Sequence, residues 1–92
     1  MGTRLSKRVT VTLIWNYTDL DQAIIKDAKR AFLDFGYYDI RHDEGSRRNK
    51  VSGRIRLNRY CSDHKSRLES IPQSYGATGV SLQVVNPETD LY

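Results

Sequence analysis

The amino-acid sequence predicts one α+β domain, and three observations support this fold class. Apolar and polar residues alternate over residues 8–17, as they do in a strand with one buried face. Residues 19–35 repeat with the period of an amphipathic helix. Two more alternating segments flank a polar, glycine-containing turn at 43–49, which indicates a β-hairpin. A chain of 92 residues is long enough for one hydrophobic core and too short for two domains.

The first strand and the first helix have the clearest patterns. One face of the strand carries Val9, Val11, Leu13 and Trp15, and the other carries Thr10, Thr12, Ile14 and Asn16. The helix has an apolar stripe made of Leu20, Ile24, Ala28, Ala31, Phe32 and Phe35. Thr18 or Asp19 can cap the start of the helix, and Gly36 can take the left-handed conformation that ends it. We expect the helix to pack Leu20, Ile24, Phe32 and Phe35 against Val11, Leu13, Ile55 and Val84.

The rest of the chain supplies the remaining four elements. Residues 37–42 and 50–60 predict the two strands of the hairpin, because polar and apolar residues alternate in both. Residues 62–71 predict a short helix that Pro72 limits. A last strand begins at Val80, and we expect Asn86 and Pro87 to stop it.

This order of elements favours a ferredoxin-like, split βαβ fold. In such a βαββαβ domain, four antiparallel strands carry both helices on one face and leave the other face open to solvent. The first and third strands would then be central. We treat residues 1–92 as a single domain and expect its ends, residues 1–7 and 87–92, to be flexible.

Composition is that of a folded intracellular protein. Hydrophobic residues make up 38% of the chain and charged residues 28%, which is ordinary for a globular domain. The single cysteine, Cys61, cannot form an internal disulfide, and no apolar run approaches the ~20 residues of a membrane-spanning helix. We therefore expect a soluble, cytoplasmic protein. The first six residues fit the N-myristoylation pattern at Gly2, but a pattern this short does not decide whether the chain is lipidated.

The positive charge is concentrated in one part of the sequence. The formal net charge is +4. Residues 41–60 contain seven basic residues against Asp43 and Glu44, whereas residues 9–40 contain three basic residues against five aspartates. This distribution predicts a positive region on the molecule and an anionic partner.

The open face of the predicted sheet and the hairpin are the expected location of a binding site. If the apolar set of each strand faces the helices, arginines, amides and tyrosines point outward from the sheet. Arginine pairs with phosphates, and tyrosine rings stack on bases. The candidate nucleic-acid-binding residues are Tyr37, Arg41, Arg47, Arg48, Lys50, Arg54, Arg56, Asn58 and Tyr60.

The predicted topology is shared with the RNA-recognition module, but the third strand differs from that family's pattern. The family carries stacking aromatic residues within this strand, whereas residues 52–57 here have Arg54 and Arg56 at the outward positions. The sequence therefore does not indicate membership. An alternative interpretation makes Arg54 and Arg56 part of a solvated face, paired with Asp39 across the strands.

No enzyme signature stands out, so we expect a non-catalytic protein without a cofactor or a bound metal. His42 and His64 do not form a metal-binding pair, and neighbouring strand residues point to opposite faces. Helix capping explains Asp19 and Asp21. We interpret Cys61 as a half-buried structural cysteine, and no glycine-rich phosphate-binding loop is present.

Two classes of function fit these observations. The first is a small basic module that binds RNA or single-stranded DNA through the open sheet face and the basic hairpin. The alternative is a protein-interaction module, such as a phage or viral regulator that docks on a larger host enzyme through its sheet edge or open face. A homodimer is a further alternative, although two rows of arginines would meet if open faces packed together.

Overall fold

The computed structural model describes residues 7–45 and 47–88, with the backbone alone for 86–88. A short 3-10 helix, Leu57–Arg59, follows the third strand. The strands and helices are β1 (Arg8–Asn16), α1 (Asp21–Asp34), β2 (Tyr38–Glu44), β3 (Arg48–Arg56), α2 (Asp63–Ser74) and β4 (Ser81–Glu88).

The four strands form one antiparallel sheet in the order β2-β3-β1-β4. The prediction of a ferredoxin-like α+β fold is thereby confirmed, with β1 and β3 in the centre. Both helices lie on the same face, α1 against β2 and β3 and α2 against β1 and β4. Among the described residues, no helix is both long and apolar enough to cross a membrane.

The core lies between the sheet and the two helices. Its largest fully buried side chains include Trp15, Phe32, Leu13, Ile24, Ile55 and Leu68. Two expected members are exposed instead. Leu20 precedes the first turn of α1 and so leaves the apolar stripe, and Val84 lies on the edge strand β4. Phe35 packs against the core and is partly buried.

Hydrogen bonds to Asp21 and Thr18 fix the start of α1. The Asp21 carboxylate accepts a hydrogen bond from the indole N–H of Trp15 (2.9 Å) and another from the backbone N–H of Thr18 (3.1 Å). The Thr18 hydroxyl oxygen in turn accepts one from the backbone N–H of Leu20 (2.8 Å). Because Trp15 is fully buried, Asp21 satisfies a donor that would otherwise lack a partner in the core. The predicted helix cap is not formed, because the N-cap residue is Leu20 and has no side-chain cap hydrogen bond. Asp21 has a different structural role, as the partner of the Trp15 indole.

A Schellman motif ends α1 and directs the next residue into the core. Gly36 has a φ of 95°, as predicted for the residue that ends the helix. The backbone N–H of Tyr37 donates to the carbonyl of Phe32 (2.9 Å), and that of Gly36 donates to the carbonyl of Leu33 (3.0 Å). The Tyr37 ring then packs edge-on against Phe32 at 4.9 Å. Tyr37 is only 2% exposed, so its predicted position on the open face is wrong.

Several predicted boundaries are also wrong. The strands of the hairpin continue to Glu44 and from Arg48, so the loop between them is three residues long rather than seven. Helix α2 continues past Pro72 to Ser74, because a proline in the last turn removes only one late backbone hydrogen bond. Strand β4 runs through Pro87 to Glu88, where a bulge on this edge strand accommodates the proline. The expected flexible ends at 1–6 and 89–92 lie outside the described residues.

Candidate nucleic-acid interface

The open face of the sheet is built on β3 and its two neighbours. The register pairs Thr10 with Arg54, Thr12 with Ser52, Ile14 with Lys50 and Asn16 with Arg48, so these side chains share the face opposite the helices. Ile14 is nevertheless only 2% exposed, so this apolar side chain adds almost nothing to the accessible surface of the face. A row of outward side chains follows β3, and we call it the β3 row: Arg48, Lys50, Ser52, Arg54 and Arg56. The row is about 27 Å long.

A bulge in β2 places a tyrosine on this face. Tyr38 pairs with Arg54 and Arg41 with Ser52, so β2 has one extra residue between these two positions. Asp39, with a φ of 53°, supplies the left-handed backbone of the bulge. Tyr38 and Arg41 therefore both lie on the open face, while Ile40 packs against the core. The sequence prediction missed Tyr38 because it assumed simple alternation through the strand.

Tyr38 is the aromatic residue of the open face within the described part of the chain. Its side chain is 40% exposed. The guanidinium carbon of Arg8 lies 5.9 Å from the ring centroid, which is a cation–π contact across β3. On the same strand, Arg41 pairs with Asp39 at 3.2 Å, and both side chains are exposed to solvent. Tyr38 and Arg41 therefore lie on the β2 side of the β3 row, and Arg8 reaches Tyr38 from the β1 side.

The hairpin end of the face holds a basic pocket. We call it the hairpin pocket; it has a volume of about 450 Å³ and is lined by Asn16, Gly45, Arg47, Arg48 and Lys50. Among the side chains that the structure describes, no carboxylate lines this pocket. Within the described residues, Arg47, Arg48 and Lys50 form no ion pair, so their charges remain available to a ligand. Elsewhere on the face, a second pocket of about 280 Å³ includes Asp39 beside Arg41 and Arg54.

Charge is divided between the two layers of the molecule. Among the described side chains, the open face and hairpin carry seven cations against Asp39, Asp43 and Glu44, an excess of four positive charges. The cations are Arg8, Arg41, Arg47, Arg48, Lys50, Arg54 and Arg56. The helical layer, residues 17–37 and 59–80, contains six cations and six carboxylates and is neutral. The positive region predicted from the sequence therefore lies on the sheet side.

Two of the candidate residues do not belong to the open face. Strand β3 ends at Arg56, and the following turn of 3-10 helix carries Asn58 away from the sheet. Tyr60 packs against the hydrophobic core and lies edge-on to His64, with 5.8 Å between ring centroids. The predicted outward positions of Asn58 and Tyr60 are therefore wrong, because the strand ends four residues earlier than expected. Alternation alone does not reveal such an ending.

Tyr60 belongs instead to an aromatic cluster around His64. The imidazole of His64 stacks on Phe35 at 4.6 Å, and its Nδ1 lies 3.0 Å from the Tyr37 hydroxyl. Burial raises the pKa of Tyr37, and Tyr60 and Cys61 add to that effect, so the phenol stays protonated and donates to Nδ1. Burial lowers the pKa of His64, although Asp63 acts in the opposite direction. A neutral imidazole fits this position.

His64 should make the stability of the protein depend on pH. The folded state binds this proton less readily than the unfolded chain, so the free energy of unfolding should decrease as pH falls from 7 to 5. A His64→Phe variant keeps an aromatic ring against Phe35 and has no proton to bind, so its stability should change less over this range. Urea unfolding at several pH values measures both slopes. His42 is present in both proteins, so equal slopes would contradict this role of His64.

The other chemically reactive residues do not assemble into a further site. Cys61 is exposed rather than half-buried, because it precedes α2 in the turn after the 3-10 helix. His42 points to the helical side and lies 3.1 Å from the Asn49 amide oxygen. Within the described part of the chain, no group of three or more His, Cys, Asp or Glu side chains lies close enough to hold a metal ion.

Six of the nine candidate residues therefore lie together on the open face and hairpin. They are Arg41, Arg47, Arg48, Lys50, Arg54 and Arg56. The remaining three, Tyr37, Asn58 and Tyr60, lie elsewhere. Tyr38, rather than Tyr37 or Tyr60, supplies the aromatic ring of the open face.

Comparison with known proteins adds no functional information. No family model matches the sequence, and no curated protein matches it. The chain is similar in structure to a domain of unknown function, DUF77, from Bacillus cereus, with 17% sequence identity and a TM-score of 0.45. The alignment covers 95% of this chain and 84% of that one. The fold assignment rests on strand order and helix placement, and the function has to be argued from the interface.

Proposed function

We propose that this chain is a small, non-catalytic module that binds RNA or single-stranded DNA on its open sheet face. The observation that carries the proposal is the charge distribution: seven cations share the open face and hairpin with three carboxylates, while the helical layer is neutral. Neutralising phosphates with such a surface releases counterions, which drives association with nucleic acids. An intracellular location is part of this proposal.

The arrangement favours a single strand over a duplex. The β3 row gives a phosphate backbone a line of cations to follow, and Tyr38 beside it gives a base a ring on which to stack. Bases in a duplex are already stacked on one another, and a flat sheet cannot enter the deep, narrow major groove of double-stranded RNA. The hairpin is the part of the molecule that could reach along a backbone beyond the sheet.

Direct titration tests the proposal. Labelled single-stranded and double-stranded RNA and DNA of one sequence are titrated with the protein at two salt concentrations. Log affinity for the single strands should fall with log salt, by about 0.7 for each phosphate contacted. Dissociation constants weaker than ~100 μM for every substrate at roughly physiological salt would exclude the proposal, because non-specific binding is already tighter than that.

Tyr38 should contribute to affinity without contributing to salt dependence. Tyr38→Ala removes the ring and should weaken single-strand binding by ~1–3 kcal/mol, the range found for stacked bases, with the same salt slope. Tyr38→Phe keeps the ring and should bind nearly as well as the unmodified protein. Fluorescence anisotropy at two salt concentrations measures both effects. Equal affinities for the alanine and phenylalanine variants would show that no base stacks here.

A second candidate function, docking on a protein by strand addition, is favoured by one observation. Within the described residues neither outer strand has a partner on its outer edge, but β2 is protected by its bulge and its charged residues. Residues 81–85 of β4 carry no charge, and Val84 and Val85 are exposed. An extended segment of a larger protein could pair with this edge. This function predicts a tight complex with one protein and negligible affinity for nucleic acid at physiological salt.

A further inference from the structure

The hairpin pocket concentrates positive charge more strongly than the rest of the open face. Arg47, Arg48 and Lys50 line one cavity of about 450 Å³, and none of them has an ion pair within the described residues. Elsewhere on the face, Arg41 pairs with Asp39 and Arg8 lies over the Tyr38 ring. A phosphodiester brings a single negative charge and can match one of the three cations. A terminal phosphate brings about two, and a chain of phosphates brings more.

The walls of the hairpin pocket are held in place before any ligand binds. The Tyr17 hydroxyl donates a hydrogen bond to the carbonyl of Gly45 (2.6 Å), and the Tyr17 backbone N–H donates to the carbonyl of Arg47 (3.2 Å). The backbone N–H of Gly45 donates to the carbonyl of Arg48 (2.8 Å), which closes the loop. On the opposite wall, the Asn16 side-chain amide donates to the Thr78 hydroxyl (3.2 Å). Binding therefore does not have to position the backbone of Gly45 and Arg47 first.

The pocket also lies where the sheet ends. Asn16 is the last residue of β1 and pairs with Arg48, the first residue of β3. A strand that follows the β3 row toward the hairpin reaches the pocket at the limit of the sheet. Guanidinium groups bind phosphate oxygens through two parallel hydrogen bonds, and two arginines with one lysine can engage several phosphate groups at once.

We propose that the hairpin pocket binds a linear polyphosphate group, such as the 5′-triphosphate of an RNA strand, in preference to internal phosphodiesters. The inference deepens the proposed function and rests on it for the source of the ligand. A free nucleoside triphosphate carries the same group, so the test distinguishes the two sources.

The test compares two RNA strands of identical sequence, one with a 5′-triphosphate and one with a 5′-hydroxyl. The triphosphate strand should bind about tenfold more tightly or better, because charge-assisted contacts to extra phosphates are each worth that much. Added inorganic triphosphate should compete for the pocket and reduce the affinity of the triphosphate strand to that of the hydroxyl strand. Arg47→Gln should remove the advantage, whereas Arg56→Gln, a matched change at the far end of the β3 row, should weaken both strands equally.

The outcomes separate this inference from the proposed function. Equal affinity of the two RNA strands overturns the inference and leaves the proposed function supported by the binding itself. Failure of both RNAs, together with Arg47-dependent binding of inorganic triphosphate or ATP, supports the polyphosphate pocket and overturns the proposed function. ATP binding as tightly as the triphosphate RNA assigns the pocket to a free nucleotide. If neither RNA strand, inorganic triphosphate nor ATP binds, both the inference and the proposed function are overturned.

Discussion

Phe32→Ala should lower the free energy of unfolding by ~3–5 kcal/mol, the cost of removing a large aromatic side chain from a packed core. Phe32 is fully buried and contacts the Tyr37 ring edge-on at 4.9 Å. It also lies against Gly53 of β3, where a Cβ atom would be only 3.1 Å from the Phe32 ring. The phenylalanine therefore fills the space between α1 and the centre of the sheet. Domains of this size are stable by only about 5–14 kcal/mol, so the loss is a large part of the total.

Chemical denaturation of the variant and of a neighbouring control measures this effect. Leu33, the next residue in α1, is 62% exposed, and Leu33→Ala should change the free energy of unfolding by less than about 0.5 kcal/mol. Both substitutions introduce alanine into the same helix, so helix propensity changes little between them. Similar losses in the two variants would show that Phe32 is not the centre of the core.

Neutralising the β3 row should greatly weaken nucleic-acid binding. Replacing Arg48, Lys50, Arg54 and Arg56 together with glutamine removes four cations from a single line on the open face. Affinity for a single strand should fall by about 100-fold or more, because hydrogen bonds to charged groups are worth ~1.5–3 kcal/mol each. The plot of log affinity against log salt should become less steep by about three, because four phosphate contacts contribute about 0.7 each.

A control with the same change in net charge distinguishes a site from general attraction. Glutamine at Lys26, Lys29, Arg30 and Arg67 removes four exposed cations from the helical layer. This variant should keep most of its affinity and nearly all of its salt slope. If both quadruple variants lose affinity equally, binding depends on total charge and the open face is not an interface. Circular dichroism of both variants confirms that they remain folded.

The fold was predictable because its elements carry independent signals. Alternation along β1, the apolar stripe of α1 and the glycine at 36 each have a local cause, and the order of elements leaves few ways to bury their apolar faces. The cations were also placed well. Lys50, Arg54 and Arg56 alternate with buried residues along one uninterrupted strand, so period two assigns them to a single face. Arg48 was predicted in the turn, and the structure adds it to the same strand.

The aromatic residues were placed poorly because their positions depend on departures from regularity. Strict alternation along the strand predicts that Tyr37 lies on the open face. The Schellman motif at Gly36 instead directs Tyr37 toward Phe32. That motif is readable from sequence and could have corrected the prediction. The bulge at Asp39 could not be predicted from sequence, since aspartate is common in ordinary strand ends and turns. The end of β3 before Asn58 was hidden for the same reason: Leu57, Asn58 and Arg59 do not break the alternating pattern.

The separation of charge between the two layers also affects how this molecule would meet a polyanion. A neutral helical layer behind a positive sheet gives the protein an electric dipole directed from the helices toward the sheet. In the field of a nucleic acid, such a dipole experiences a torque before contact is made. A larger fraction of diffusional encounters would then begin with the sheet facing the strand, and fewer would be lost to wrong orientations.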